Sequence, residues 1–213
     1  PVGGQIQSEE RTLNGINEVF HSEAEPEINQ HAVLPSTEIA NLDFKSLGFK
    51  GKWLEFIGDP GNNFTAMIYG EPKFGKSTLA LDFSAYLARN HGTVLYVAKE
   101  EGIGKTLKEK LDHQDIKHPD LFGTGQIPDD LTPFDFVVLD SVNKLGLRPE
   151  DLDELKNRYP DKAFIYNFQS TKGGDFRGSQ AFQHDVDIII NVPELGKAVQ
   201  YGRFNQGGEL DIF

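Results

Sequence analysis

Residues 70–78 read Gly70-Glu71-Pro72-Lys73-Phe74-Gly75-Lys76-Ser77-Thr78, which fits the pattern G-x-x-x-x-G-K-[ST]. This pattern is typical of the phosphate-binding P-loop, which lies between a strand and a helix. The preceding residues 64–69 are apolar and partly β-branched, which favours a buried strand. After the motif, Leu79, Phe83 and Leu87 recur every four residues, which indicates a helix. The surroundings therefore predict the strand, turn and helix that the motif requires.

The residue types of this motif suit a nucleoside triphosphate such as ATP. Glycines let successive backbone N–H groups point at phosphate oxygens, and a helix that starts near Lys76 adds the positive end of its dipole. We expect Lys76 to reach the β- and γ-phosphates and the Ser77 hydroxyl to ligate Mg²⁺. The alternative interpretation is a glycine turn that caps an ordinary helix. The predicted ATP-binding residues are Gly70, Glu71, Pro72, Lys73, Phe74, Gly75, Lys76, Ser77 and Thr78.

The composition excludes several classes of site. The 213 residues carry a formal net charge of −12, of which residues 1–44 account for −7, so a nucleic-acid-binding surface would have to be local. The chain has no cysteine, which excludes disulfides and thiolate metal sites, and its six histidines show no metal-binding spacing. No run is long enough to span a membrane and no signal-peptide pattern is visible, so a cytoplasmic protein is expected.

The chain divides into two predicted regions. Residues 1–41 are polar and acidic and predict a flexible arm, although a short amphipathic helix that docks on a neighbouring subunit is an alternative. Residues 42–213 are long enough for one α/β core domain. The chain starts at Pro1 rather than at methionine, which indicates a fragment or a processed chain. The apolar positions of the possible helix in the arm are Leu13, Ile16, Val19 and Phe20.

Strand and helix patterns alternate after the P-loop. Helices are expected at 103–112 and after Pro149. Residues 198–204 and 209–213 alternate around a turn at 206–208, which predicts an antiparallel hairpin. The fold class is therefore α/β, with a mostly parallel sheet, helices on both faces and the ligand at the carboxyl ends of the strands. Besides 64–69, apolar runs predict strands at 53–57, 93–98, 134–140, 163–168 and 186–192, and a short one near 121–122.

A second landmark is the apolar run Phe134-Asp135-Phe136-Val137-Val138-Leu139-Asp140-Ser141. A strand that ends in aspartate downstream of a P-loop is the Walker B pattern. At the carboxyl edge of a parallel sheet, Asp140 can hold Mg²⁺, usually through water. Because many buried strands end in aspartate, the interpretation depends on the P-loop upstream. The predicted magnesium ligands are Ser77 and Asp140.

These features resemble, in the same order, the RecA-like P-loop ATPases, and most closely the cores of RadA and of the DnaB-type helicases, over residues 50–213. The strand that runs into Lys99-Glu100-Glu101 resembles the RadA strand that ends in a glutamate pair. Asp140-Ser141 resembles the Walker B ending of that family. Residues 178–187 resemble the segment before its last parallel strand, and residues 201–213 resemble its stretch around Lys-Asn-Arg-Phe-Gly.

The resemblance implies a catalytic set of Glu100, Lys76, Gln169 and Arg203. Glu100 matches the residue that polarises the attacking water, and Gln169 matches the polar residue that senses the γ-phosphate. Arg203 matches an arginine that acts in trans on the γ-phosphate of a neighbouring subunit. The lysine that accompanies that arginine in related hexamers is Tyr201 here, which weakens the case for trans activation.

The resemblance implies hydrolysis of ATP to ADP and phosphate, with Mg²⁺ as cofactor. It also implies a homo-oligomeric ring or filament that acts on DNA, as a motor or as a recombination or replication ATPase. A glycine-rich loop at 170–180 would face single-stranded DNA, with Lys172 and Arg177 as candidate phosphate contacts. A regulatory ATPase that acts on a protein partner without DNA is an alternative, favoured by the acidic arm and Tyr201. A small-molecule P-loop kinase would need an acceptor domain and an arginine-rich lid, and the sequence indicates neither.

Overall fold

The computed structural model describes residues 33–170 and 186–213. The chain divides into two compact units, Pro1–Asp43 and Phe44–Phe213. In the described part of the first unit, one short helix, α1 (Ser36–Ile39), has no buried residue. The apolar positions between Leu13 and Phe20 lie outside the described residues, so the predictions for most of the arm stay predictions.

The described residues of the second unit form one eight-stranded sheet. Its order is β3-β2-β4-β5-β1-β6-β7-β8, in which the neighbours from β3 to β6 pair in parallel and β7 and β8 are antiparallel. This architecture confirms the predicted α/β class, the mostly parallel sheet and the antiparallel C-terminal strands. The strands are β1 (Thr65–Gly70), β2 (Val94–Ala98), β3 (Leu121–Thr124), β4 (Phe136–Asp140), β5 (Ala163–Gln169), β6 (Ile188–Glu194), β7 (Lys197–Tyr201) and β8 (Gln206–Asp211).

Helices cover both faces of the sheet, as the alternating pattern predicts. On β1, Ala66 and Ile68 belong to one apolar cluster and Met67 to another, because successive strand residues point to opposite faces. Helices α2 (Lys52–Ile57), α3 (Lys76–Asn90) and α4 (Lys105–His113) contribute to the first cluster. Helices α5 (Val142–Leu145) and α6 (Pro149–Arg158) contribute to the second. In the described parts of the chain, none of the helices combines the length and the apolar character that a bilayer crossing requires.

The predicted strand at 53–57 is wrong, because these residues form helix α2. Trp53, Phe56 and Ile57 are buried, at the i, i+3, i+4 spacing of one helical face. Leu54, between them, is 43% exposed. The apolar run was too short for its periodicity to distinguish the two structures.

The C-terminal hairpin has its turn earlier than predicted. Residues 202–205 connect β7 to β8, and residues 206–208 lie within β8. The side chain of Asn205 donates a hydrogen bond to the Glu55 carbonyl of α2. A Cβ atom on Gly208 would lie 2.3 Å from the Phe56 carbonyl oxygen. This glycine therefore lets β8 approach α2 closely and is not a turn residue.

The strand order brings four strand ends to one edge of the sheet. Gly70, at the end of β1, pairs in register with Gln169 of β5. Asp140, at the end of β4, lies between Ala98 of β2 and Asn167 of β5. Residues that are far apart in the sequence therefore meet where the P-loop leaves β1, as expected for the ligand edge of a parallel sheet.

Candidate nucleotide-binding site

The P-loop forms the turn between β1 and α3. Lys73 and Gly75 adopt positive φ angles of 71° and 112°, and α3 begins at Lys76. A Cβ atom on Gly75 would lie 3.0 Å from the ring of Phe213, so glycine fits both the backbone conformation and the space. The turn and the first residues of α3 therefore have the conformation that presents backbone N–H groups to an anion.

Lys76 lies inside this turn. Its ammonium donates a hydrogen bond of 2.8 Å to the carbonyl oxygen of Glu71, and the residue is 7% exposed. Burial lowers the pKa of Lys76, while the carboxylates of Asp140 and Glu100 act in the opposite direction. The structure thus places one buried cation in the field of the two predicted acids.

Asp140 is held on both carboxylate oxygens. Asn167 donates a hydrogen bond of 2.7 Å to Oδ1, and the Tyr96 hydroxyl donates one to Oδ2. Burial raises the pKa of Asp140, although the hydrogen bonds with Tyr96 and Ser77 oppose that shift. Burial also raises the pKa of the Tyr96 phenol well above its ordinary value, so Tyr96 is a hydrogen-bond donor at neutral pH. The peptide bond between Asp140 and Ser141 is cis.

Glu100 follows β2 and contacts residues from two other elements. Gln169, at the end of β5, donates a hydrogen bond of 2.6 Å from Nε2 to Glu100 Oε1. The ammonium of Lys144 on α5 lies 3.4 Å from the same oxygen. The neighbouring Glu101 instead forms an ion pair with Lys110 of α4. The two glutamates therefore differ in environment, and Glu100 is the one that contacts the predicted γ-phosphate sensor.

These groups line one cavity of about 510 Å³, a size that suits a small-molecule ligand. Tyr96, Asn167 and Phe213 belong to the site or touch it, and the sequence did not single them out. In the sequence, Tyr96 and Asn167 look like ordinary strand residues and Phe213 looks like an ordinary surface position. The predicted residues that the cavity brings together are Lys76, Ser77, Glu100, Asp140 and Gln169, with the P-loop residues Pro72, Lys73, Gly75 and Thr78.

Arg203 lies in the connection between β7 and β8 and is not among the residues that line this cavity. Its guanidinium donates a hydrogen bond of 3.1 Å to Asp187, and its backbone N–H donates one to the Asp187 carbonyl. Thr65 also donates its backbone N–H to the Asp187 carboxylate. Arg203 thus has a contact within its own chain, and its trans role stays a prediction. The predicted DNA contacts Lys172 and Arg177 lie outside the described residues.

The donors at the site fit a hydrated magnesium ion. The Ser77 hydroxyl and the Asp140 carboxylate line the same cavity, and both are oxygen donors of the kind that Mg²⁺ prefers. Asn167 Oδ1 is buried and has no hydrogen-bond partner among the described residues, so a further acceptor is available beside them. In the same residues, no group of three or more histidine, aspartate or glutamate side chains could hold a metal ion. A site with one carboxylate suits Mg²⁺, which keeps several waters and relies on substrate phosphates.

A sheet of this order, with a P-loop after its central strand β1 and acids after β2 and at the end of β4, is a RecA-like P-loop fold. Its sequence is similar to that of RadA proteins. It is 27% identical to the DNA repair protein RadA of Treponema pallidum (strain Nichols) over 173 residues, which cover 69% of this chain and 37% of that protein. It is 26% identical to the DNA repair protein RadA of Bacillus subtilis (strain 168) over 176 residues, which cover 69% of this chain and 38% of that protein.

The structural comparison supports the same fold. The flagellar accessory protein FlaH of Methanocaldococcus jannaschii superposes with a TM-score of 0.57 at 13% sequence identity, over 78% of this chain and 93% of that chain. No family model matches the chain. The chain spans less than two fifths of the length of the two RadA proteins, so the likeness concerns only a part of each and not its whole activity.

Proposed function

We propose that this chain binds ATP with Mg²⁺ and hydrolyses it to ADP and phosphate. The observation that carries the proposal is that Lys76, Asp140 and Glu100 line one cavity beside the P-loop. Phosphoryl transfer to water requires a cation that binds phosphate and a carboxylate that can hold the metal ion. It also requires a second carboxylate that can act on the attacking water, here one within reach of a polar side chain.

Each part has a distinct task in this proposal. The P-loop N–H groups and Lys76 bind the phosphates and stabilise the charge that develops between the β- and γ-phosphates. Ser77 and Asp140 would hold Mg²⁺, which supplies further neutralisation of phosphate charge when it is bound. Glu100 accepts a proton from the attacking water and Gln169 orients Glu100, consistent with their hydrogen bond. The ring of Phe213, which is 71% exposed at the cavity, offers a flat apolar surface to the nucleobase.

We further propose that the ATPase works as an oligomer on DNA, because both RadA proteins that it resembles are named as DNA repair proteins. Lys172 and Arg177 are the proposed DNA contacts, and Arg203 is the proposed contact to a neighbouring subunit's nucleotide. The net charge of −12 favours a second candidate, a regulatory ATPase of the same fold whose partner is a protein.

The decisive experiment is the ATPase rate with and without single-stranded DNA, with Lys76→Ala and Glu100→Gln as controls. We expect hydrolysis by the wild-type chain, stimulation by DNA and almost no turnover in either variant. Hydrolysis that DNA leaves unchanged would favour the protein-partner alternative. A wild-type chain that binds ATP but transfers phosphate only to an added small acceptor would refute the ATPase and indicate a kinase.

A further inference from the structure

The two strands that flank β4 each supply one hydrogen-bond donor to Asp140. Tyr96, in the middle of β2, reaches Oδ2, and Asn167, in β5, reaches Oδ1. Both donors are buried, with 3% and 1% of their surface exposed. The carboxylate is thus fixed from both sides by side chains of the rigid sheet, and its orientation does not depend on a loop.

The hydrogen-bond capacity of this cluster leaves room for a hydrated ion. A carboxylate has about four lone-pair positions. Tyr96 and Asn167 occupy two of them. Asp140 therefore keeps about two positions, which can accept hydrogen bonds from metal-bound water. Asn167 Oδ1, which is buried without a partner among the described residues, is a second acceptor of this kind.

We propose, resting on the proposed function, that Tyr96 and Asn167 are positioning residues of the magnesium subsite. They hold the Asp140 carboxylate so that this carboxylate and Asn167 Oδ1 accept hydrogen bonds from the waters of the hydrated ion. Asp140 is then an outer ligand whose orientation is set by its two neighbours. Loss of such supporting contacts typically lowers metal affinity by about 10- to 100-fold.

The local packing separates this role from a merely structural one. The ring of Tyr96 lines an apolar cavity with Leu81, Leu107 and Leu111, where phenylalanine would fill the same space. The hydroxyl is the part of the side chain that touches the polar cluster. Removing only that hydroxyl should therefore leave the packing intact and change the metal site.

The test is the Mg²⁺ dependence of binding of a fluorescent ADP analogue, measured by anisotropy without turnover. In Tyr96→Phe we expect the affinity for the analogue in EDTA to equal that of the wild type and the apparent Mg²⁺ affinity to fall about tenfold or more. Electron paramagnetic resonance of Mn²⁺ in the nucleotide complex should show the same loss. The matched control is Tyr166→Phe, which removes a buried phenol hydroxyl on the opposite face of the sheet.

Equal Mg²⁺ affinities of wild type and Tyr96→Phe, with both chains folded, would overturn the proposal. So would a loss of the same size in Tyr166→Phe. Asn167→Ala repeats the test on the second oxygen and carries it alone if Tyr96→Phe does not fold. A wild-type chain that fails to bind the analogue at all would refute the proposed function, whereas normal wild-type binding with an unaffected variant would refute only the role of Tyr96 and Asn167.

Discussion

The side-chain amide of Gln169 donates a hydrogen bond of 2.6 Å to Glu100 Oε1, although 69 residues separate the two in the sequence. Glu100 lies two residues after the end of β2 and Gln169 ends β5, with β4 between the two strands. The contact therefore links the ends of two strands across β4, which itself ends at Asp140. It connects the proposed water-activating residue to β5, which ends at Gln169.

Glu100→Gln should bind ATP and hardly turn it over. The change removes the proton acceptor and keeps the size of the side chain, so kcat should fall about 10²- to 10⁴-fold while the affinity for ATP changes little. Rates of phosphate release and nucleotide anisotropy measure the two quantities. The matched control is Glu101→Gln, because Glu101 forms an ion pair with Lys110 and does not contact Gln169 in the described structure. Normal turnover in Glu100→Gln would remove Glu100 from the mechanism.

Gln169→Ala should reduce kcat while nucleotide affinity is retained. A hydrogen bond to a charged group contributes about 1.5–3 kcal/mol, so the expected loss is roughly ten- to hundredfold. If Gln169 acts through Glu100, the double variant Gln169→Ala/Glu100→Gln should be no slower than Glu100→Gln alone. Additive losses in single-turnover kinetics would show instead that the two residues act independently.

Lys76→Ala should abolish measurable nucleotide binding. The ammonium lies inside the P-loop, and its loss removes charge-assisted hydrogen bonds to phosphate, which corresponds to about a hundredfold or more in affinity. Calorimetric titration with ADP and with ATP measures the effect. Lys52→Ala is a suitable control, because that lysine forms an exposed ion pair with Asp82. Binding of ATP by Lys76→Ala with wild-type affinity would exclude the P-loop as the phosphate site.

The stability of the nucleotide-free chain should depend on pH through Lys76. In the folded chain, burial lowers the pKa of this ammonium below its ordinary value of 10.5. Between the lowered pKa and 10.5, the unfolded chain therefore binds more protons than the folded chain. The contribution of Lys76 to the free energy of unfolding therefore rises with pH across that window. The measurement is the difference in Tm between wild type and Lys76→Met from neutral pH to pH 10.5. We expect Lys76→Met to be the more stable chain at neutral pH and its advantage to shrink as the pH rises. A constant difference would contradict the buried charge.

The strand, turn and helix around the P-loop and the strand that ends at Asp140 could be predicted because their signals are local. A glycine-rich turn between a strand and a helix, or an apolar run that ends in aspartate, is visible within about ten residues. The strand at 53–57 was predicted wrongly, since a five-residue apolar run fits a short buried helix as well as a strand.

The contacts that complete the site could not be read in the same way. Tyr96 and Asn167 lie inside apolar strands, where tyrosine is an ordinary strand residue and a single asparagine carries no motif. Their relation to Asp140 depends on β4 lying between β2 and β5, an order that the sequence pattern leaves open. The side-chain contacts of Glu100 with Lys144 and Gln169 depend on the same order.

The role of Arg203 can be decided by mixing two inactive chains. Within its own chain Arg203 pairs with Asp187 while 66% of its side chain is exposed, so Arg203→Ala should cost less than about 1 kcal/mol in stability. If Arg203 acts on the nucleotide of a neighbour, Arg203→Ala alone should still lose most of its ATPase activity. Arg203→Ala keeps Glu100, and Glu100→Gln keeps Arg203. Mixed oligomers would therefore contain sites in which an intact Glu100 faces an intact Arg203 from the neighbour, and activity should reappear on mixing at a constant total concentration. A linear average of the two separate rates at every mixing ratio would assign Arg203 to its ion pair with Asp187.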